Sequence, residues 1–213
     1  MTRVFLASRN AKKLHEMQRI LAAHIADVEV VGLADVDHYA EPVEDQPTFE
    51  GNAVLKARAG FVATGLATIA DDSGLCVGAL NGMPGVLSAR WSGSVEADKA
   101  VTDERNNELL LAQLSDVPDE RRDAWFECAV AFVGPGGGAS GEIEIVEHGQ
   151  MAGRIIREPR GSGGFGYDAV FVADEHTDAG LTSAELEPAE KDRISHRGHA
   201  LRAIAPRVAA ALA

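Results

Sequence analysis

In the stretch LATIADDSG, residues 66–74, an apolar segment passes directly into two carboxylates, a hydroxyl and a glycine. Leu66 to Ala70 has the pattern of a short buried strand, and Asp71 to Gly74 has the composition of an acidic turn. Functional sites are often built where a core strand passes into a polar connection. We therefore predict a strand that ends at Ala70 and places Asp71 and Asp72 at the edge of a sheet.

The segments on either side of this stretch alternate between strand and helix patterns. Strands are predicted at 3–7, 28–31, 124–133, 142–146 and 169–172, with a glycine-rich turn at 134–138 between the third and fourth of these. Helices are predicted after residue 10, from Pro47 to Gly65, from Val95 to Leu114 and over the last part of the chain, each with an apolar face. This order predicts an α/β fold with an elongated, mixed β-sheet and flanking helices.

The charge balance excludes one class of partner. The chain carries 33 acidic and 20 basic side chains, for a formal net charge of -13. Such a field repels a nucleic acid polymer, whereas a local cluster of Lys, Arg and backbone N–H groups can still bind a small phosphorylated substrate.

The cysteines and the hydropathy pattern point to a cytoplasmic protein. Cys76 and Cys128 lie far apart in apolar stretches, which favours two reduced, buried thiols over a disulfide or a zinc site. The apolar run at the N-terminus is too short for a signal peptide, and no window approaches the ~20 apolar residues of a membrane span. We therefore expect the cytoplasm and no membrane partner.

Two segments have the composition of a phosphate and metal site. Ser8 to Lys13 places a hydroxyl, an amide and ammonium groups on a strand-to-helix turn, where a phosphate would be favoured; the alternative is a helix cap with solvated lysines. Asp71 and Asp72 should point to opposite sides, so only one needs to face a ligand. Carboxylates suit Mg²⁺, although an Asp/Ser/Gly turn without metal is the alternative.

Two further clusters lie late in the chain. Residues 161–166 match G-x-G-x-x-G but lead into a strand, so we interpret them as a loop that presents Phe165, Tyr167 and Asp168 to a ligand such as a base. A plain mobile loop is the alternative. Ser195 can cap the last helix, which places His196 and Arg197 in its first turn, with donors for an anionic or carbonyl-bearing ligand. No P-loop and no G-x-S-x-G motif is present.

Taken together, these segments resemble the inosine/xanthosine triphosphate pyrophosphatase family. The resemblance rests on SRNAKK (8–13), TFEGNA (48–53), ADDSGL (70–75), GGFGYD (163–168) and SHRG (195–198), in this order, and spans nearly the whole chain. It implies a single domain, residues 1–213, with two lobes around a central cleft. It also implies a homodimer that hydrolyses ITP, dITP and XTP with Mg²⁺ to the monophosphate and pyrophosphate.

The resemblance also implies roles for individual residues. Asp72 would be the general base and a metal ligand, and Glu44 is our choice, over Asp45 and Glu50, for the second metal-binding carboxylate. The substrate-binding residues would be Ser8, Arg9, Asn10, Ala11, Lys12, Lys13, Ser73, Phe165, Gly166, Tyr167, Asp168, Lys191, His196 and Arg197. The family's first motif usually has Thr-Gly where this chain has Ser8-Arg9, which makes the geometry of that turn a point to check.

The implied reaction is attack of water on the α-phosphorus with pyrophosphate as the leaving group. It requires the Ser8–Lys13 turn, Asp72 and the start of the last helix to lie together in a single cleft. Two alternatives fit the same residues: a pyrophosphatase for other modified nucleotides, or a nucleotide-binding sensor without turnover.

Overall fold

The computed structural model describes residues 1–94, 96, 98–136 and 141–213. Six strands and five α-helices are present in these ranges. The strands are β1 (Thr2–Leu6), β2 (Val28–Val31), β3 (Ala67–Val77), β4 (Asp123–Pro135), β5 (Glu142–Ile155) and β6 (Phe171–Ala173). The helices are α1 (Ala11–Ala22), α2 (Phe49–Thr64), α3 (Lys99–Gln113), α4 (Pro188–Ile194) and α5 (His196–Leu212).

The strands form one sheet in the order β2-β1-β3-β4-β5-β6. In this sheet, β1 lies between β2 and β3 and is parallel to both, whereas β6 is antiparallel to β5. Parallel strands need a crossover connection. In chain order, α1 lies between β1 and β2, and α2 lies between β2 and β3. The predicted α/β class with a mixed sheet and flanking helices is therefore confirmed.

The chain forms two compact units. Unit 1 contains residues 1–72, 128–149 and 197–213, and unit 2 contains residues 73–127 and 150–196. In unit 1, apolar side chains of β1, such as Val4 and Leu6, belong to one core with Met17 of α1 and Ile204 of α5. In unit 2, Leu110 of α3 belongs to a second core with residues of β4, β5 and β6. That residues 1–213 act as one domain with two lobes stays a prediction.

Local chemistry explains the ends of the helices in unit 1. The Asn10 side chain accepts from the backbone N–H groups of Lys12 and Lys13, and the Thr48 side chain accepts from that of Gly51, so each residue caps the helix that follows. Gly65 ends α2 in the left-handed conformation, with φ of 68°. The start of α1 after residue 10 and the end of α2 at Gly65 agree with the sequence predictions, whereas α2 begins at Phe49 and not at Pro47.

The predicted end of the central strand is wrong. β3 continues to Val77, so Asp71, Asp72, Ser73 and Gly74 lie within the strand and form no turn. The sheet continues through these residues despite their turn-like composition, and Gly74 has no room for a side chain, because its Cβ would clash with the Ser88 hydroxyl oxygen and lie 2.6 Å from the Gly85 carbonyl oxygen. The glycine therefore serves a close approach.

Other differences concern the second half of the chain. β5 is longer than predicted and extends to Ile155, and the short helix α4 was not expected. The predicted helix start at Val95, and residues 137 and 138 of the predicted turn, lie outside the described residues. No helix in the described ranges has both the length and the apolar character needed to cross a membrane.

Candidate active site

The turn between β1 and α1 is held by its own side chains. The Ser8 hydroxyl oxygen accepts from the Asn10 N–H at 3.2 Å, and the Asn10 carboxamide oxygen accepts from the Lys12 N–H at 2.9 Å. Ser8 and Lys13 are partly buried, whereas residues 9–12 are exposed. The turn therefore presents polar groups to solvent at the start of a helix, where anions are favoured.

Arg9 is compatible with this turn although the related motif has glycine. The non-glycine residues with positive φ among the described residues are Asp27 and Asn81, so Arg9 does not adopt the left-handed conformation. Its guanidinium pairs with Glu41, and both side chains are exposed. The turn geometry thus does not depend on a glycine at this position.

Lys13 and Arg197, from opposite ends of the chain, meet at Asp71. The Lys13 Nζ lies 3.0 and 2.8 Å from the two Asp71 carboxylate oxygens, and the Arg197 Nε lies 3.1 Å from Oδ2. Burial alone would favour the neutral acid, but Lys13 and Arg197 outweigh it and hold the pKa of Asp71 well below its usual range. We call these three residues the Asp71 group; it carries two cations for one carboxylate.

Asp72 faces a different set of residues. Its Oδ2 accepts from the Asn52 Nδ2 at 3.0 Å, and its Oδ1 lies 3.4 Å from the Lys56 Nζ, which is also 3.2 Å from the Glu44 Oε1. We call these four residues the Asp72 group. Burial raises the pKa of Asp72, and the Glu44 carboxylate adds to that rise against the opposing effects of Lys56 and Asn52. A partly buried carboxylate with a raised pKa is suited to accept a proton.

Of the three acidic candidates near Thr48, Glu44 is the one that shares an ion-pair partner, Lys56, with Asp72. Asp45 instead accepts from the Gln46 side chain, and Glu50 pairs with His148. The two carboxylates match the oxygen donors that Mg²⁺ uses when phosphates and water complete its shell. No cluster of three or more His, Cys, Asp or Glu is present within the described ranges, so protein ligands alone do not form a complete cage.

Ser73 and Gly74 follow Asp72 along β3 and belong to unit 2. Ser73 is partly buried. The backbone beside it is anchored, since the Leu75 N–H donates to the Ser88 hydroxyl oxygen at 2.9 Å. The strand is thus held to residue 88 directly after Ser73 and Gly74.

The glycine-rich loop places an aromatic ring in solvent. Phe165 is 54% exposed, and its N–H donates to the Asp168 carboxylate at 2.7 Å. Asp168 is buried and pairs with Lys191 of α4, and a side chain at Gly164 would clash with the Asp168 carboxylate. The loop therefore wraps closely around a partly buried ion pair and leaves the ring accessible.

Tyr167 and His196 are placed differently from Phe165. Tyr167 is 4% exposed and its hydroxyl donates to the Ser88 carbonyl oxygen at 2.8 Å, so its side chain is part of the core of unit 2. His196 is partly buried and stacks on Phe126, with ring centroids 5.0 Å apart. The Tyr167 side chain is thus not exposed to a ligand, and His196 is held with a defined ring orientation.

Sequence reasoning missed Asn52 and Lys56. Neither was among the predicted site residues, yet Asn52 is 1% exposed and also accepts from the Gln46 N–H at 3.0 Å. The available signal was their i, i+4 spacing, which places two polar side chains on the same face of a helix that is otherwise rich in apolar and small residues. Their partner, Asp72, could not be identified without the fold.

The fold and these contacts define a mixed α/β protein whose clusters of cations and carboxylates suit a phosphate-bearing ligand. Residues 4–207 match the model of the Ham1 family. The chain belongs to this family, so the resemblance found in the sequence is confirmed.

Individual relatives agree over nearly the full length. The chain is 57% identical to a dITP/XTP pyrophosphatase of Nocardia farcinica, covering 99% of this chain and 96% of the relative. Among solved structures, a nucleoside-triphosphatase / dITP/XTP pyrophosphatase of Mycobacterium abscessus is 51% identical, with a TM-score of 0.78 over 97% of this chain and 100% of that one. A HAM1 protein of Coxiella burnetii is 37% identical, with a TM-score of 0.83 over 99% and 100%.

Proposed function

We propose that this chain hydrolyses ITP, dITP and XTP to the nucleoside monophosphate and pyrophosphate. The observation that carries the proposal is the Asp71 group, in which Lys13 and Arg197 supply two cations next to the raised-pKa carboxylate of Asp72. Membership of the Ham1 family, and high identity to relatives named as dITP/XTP pyrophosphatases, support the same activity.

Glu44 and Asp72 are the residues we assign to Mg²⁺. Both carboxylates approach the Lys56 ammonium, so this position already accommodates positive charge. When bound, Mg²⁺ neutralises negative charge on the triphosphate oxygens. The assignment leaves the rest of the metal shell to water and substrate, as is usual for this ion.

The phosphate chemistry is assigned to residues of unit 1. Residues 8–13 bind the triphosphate, and Lys13 neutralises charge that develops on its oxygens. Asp72 orients a water molecule and takes its proton as the water oxygen bonds to the α-phosphorus. The bond from the α-phosphorus to the bridging oxygen breaks, and pyrophosphate leaves with the electron pair.

Recognition of the base is assigned to Phe165, with the loop that carries it, and to Lys191 and His196. The exposed Phe165 ring offers a surface for stacking. Donors from the loop N–H groups would bind the purine O6. An adenine amino group at that position would leave buried donors unpaired, at a cost of about 1–3 kcal/mol each.

The biological setting follows from this activity. Deaminated purine nucleotides in the cytoplasmic pool would be removed before polymerases use them. We also propose a homodimer, which size-exclusion chromatography with light scattering tests directly.

A substrate panel tests the proposal. Pyrophosphate release from ITP, XTP, dGTP and ATP is measured with Mg²⁺ and with EDTA, and we expect efficient turnover of ITP and XTP with Mg²⁺ alone. Equal kcat/KM for ATP and ITP would overturn the selectivity. Binding of ITP without pyrophosphate release would indicate a sensor, and turnover of modified pyrimidine nucleotides alone would indicate a different pyrophosphatase.

A further inference from the structure

One face of helix α3 contacts the glycine-rich loop of the same unit. The Gly166 N–H donates to the Asp103 Oδ2 at 2.7 Å, and the Gly166 carbonyl oxygen accepts from the Asn107 Nδ2 at 2.9 Å. Asp103 and Asn107 are four residues apart, so they lie on the same face of the helix. The backbone N–H and the backbone carbonyl of Gly166 are therefore both hydrogen-bonded to α3.

The conformation of Gly166 makes this contact specific. Its φ is 61°, in the left-handed region, and the residue directly follows Phe165. Glycine adopts this conformation at little steric cost, so the loop can turn directly after Phe165. Because α3 bonds both backbone groups of Gly166, it holds the residue that directly follows Phe165.

Asn107 is oriented for this contact. It is 8% exposed, and its Oδ1 has no hydrogen-bond partner in the part of the chain that the structure describes. The opposite amide orientation would set this oxygen against the Gly166 carbonyl oxygen, so the bond to the loop fixes the orientation. A buried acceptor without a partner costs free energy, which the loop contact offsets.

Lys99 completes the same face of α3. It lies four residues before Asp103, and its Nζ is 4.7 Å from the centroid of the Phe165 ring, while the Lys191 Nζ is 5.3 Å from that centroid. Ammonium groups over an aromatic ring are attracted to its face. Two cations therefore hold a ring that is itself 54% exposed and has little packing of its own.

We propose that Lys99, Asp103 and Asn107, which we name the α3 clamp, position Phe165 for contact with the nucleotide base. The inference rests on the proposed function, since it assigns the base to Phe165. The three clamp residues are positioning residues: they act through Gly166 and the ring, and they take no part in bond cleavage. The clamp should therefore affect base binding and leave phosphate binding unchanged.

Binding of the two products separates these effects. Isothermal titration calorimetry with Mg²⁺ measures the Kd of IMP, which carries the base, and the Kd of pyrophosphate, which does not. For Asp103→Ala we expect the Kd of IMP to rise about tenfold, as for loss of a hydrogen bond to a charged group, with the Kd of pyrophosphate unchanged. The KM for ITP should rise similarly, with little change in kcat.

Three variants complete the experiment. Asp103→Asn keeps an acceptor for the Gly166 N–H and should restore most of the IMP affinity. Asn107→Asp keeps the size of the side chain but opposes the Gly166 carbonyl oxygen, so it should weaken IMP binding and remain informative if Asp103→Ala fails to fold. Glu104→Ala is the matched control, because Glu104 is an exposed acidic residue on the same helix, next to Asp103.

The outcomes are distinguishable from failure of the proposed function. A wild-type protein that releases no pyrophosphate from ITP or XTP contradicts the function itself. With an active wild type, unchanged IMP affinity in Asp103→Ala and Asn107→Asp overturns the inference. Equal weakening of IMP and pyrophosphate binding also overturns it, because that result indicates a general structural role for α3.

Discussion

Asp71 and Asp72 are adjacent on β3, yet their surroundings have opposite charge balances. The Asp71 group has two cations for one carboxylate, whereas the Asp72 group has two carboxylates for one cation. Burial acts on both, but the pKa of Asp71 is lowered and that of Asp72 is raised. Neighbouring residues of the same type therefore have opposite pKa shifts, because different side chains contact them on the two faces of the strand.

The largest effect is expected on breaking the Asp71 group. Asp71→Asn leaves Lys13 and Arg197 without their shared carboxylate, and we expect the free energy of unfolding at neutral pH to fall by about 3–5 kcal/mol, as for a broken buried ion pair. Urea unfolding followed by circular dichroism measures this change. Asp45→Asn, at an exposed residue, is the control.

The same variant has a defined pH dependence. Folding lowers the pKa of Asp71. The charged Asp71 side chain therefore stabilises the fold at every pH above the pKa of an Asp in the unfolded chain, about 3.9, and this stabilisation is lost as the pH falls further. The stability difference between wild type and Asp71→Asn should thus be constant from neutral pH to mildly acidic pH and shrink in stronger acid. A difference that grows in acid would contradict the role of Asp71 as the charged partner.

Removing the charge of Asp72 should act on catalysis. Asp72→Asn keeps the shape of the side chain but removes the base and one metal ligand, so we expect kcat for ITP to fall about a hundredfold or more. Pyrophosphate release at saturating ITP and Mg²⁺ gives the value. Near-normal turnover by this variant would remove Asp72 from the mechanism.

Glu44→Gln tests whether Glu44 is a ligand of Mg²⁺. Loss of one carboxylate ligand should raise the Mg²⁺ concentration for half-maximal activity by at least about tenfold, with a smaller loss of activity when Mg²⁺ is saturating. Titration of ITP hydrolysis with MgCl₂ measures this shift. The same titration with Glu50→Gln should match wild type; a shift in that variant instead would transfer the role to Glu50.

The smallest effect is expected for Lys56. The Lys56 ammonium lowers the pKa of Asp72 and so limits the rise caused by burial. Lys56→Met should therefore raise that pKa further. The acidic limb of the profile of kcat/KM against pH should move to higher pH, because the base must be deprotonated. A shift to lower pH would show that Lys56 does not act on Asp72 in this way.

Local sequence chemistry was sufficient for much of the fold. Asn10, Thr48 and Gly65 mark helix ends through short-range hydrogen bonds and backbone preference, and the structure has them at those ends. The motifs that carry the family resemblance were also visible as residue types in order along the chain. These features depend on neighbours in the sequence, which are known without coordinates.

The tertiary structure decided which of these residues meet. β3 continues through Asp71–Gly74 because sheet pairing and the close packing of Gly74 on Ser88 override a turn-like composition. The pairing of Lys13 and Arg197 at Asp71, and that of Lys56 with both Glu44 and Asp72, joins segments that strand order and register bring together. Since a pKa depends on such neighbours, the difference between Asp71 and Asp72 exists only in the folded chain.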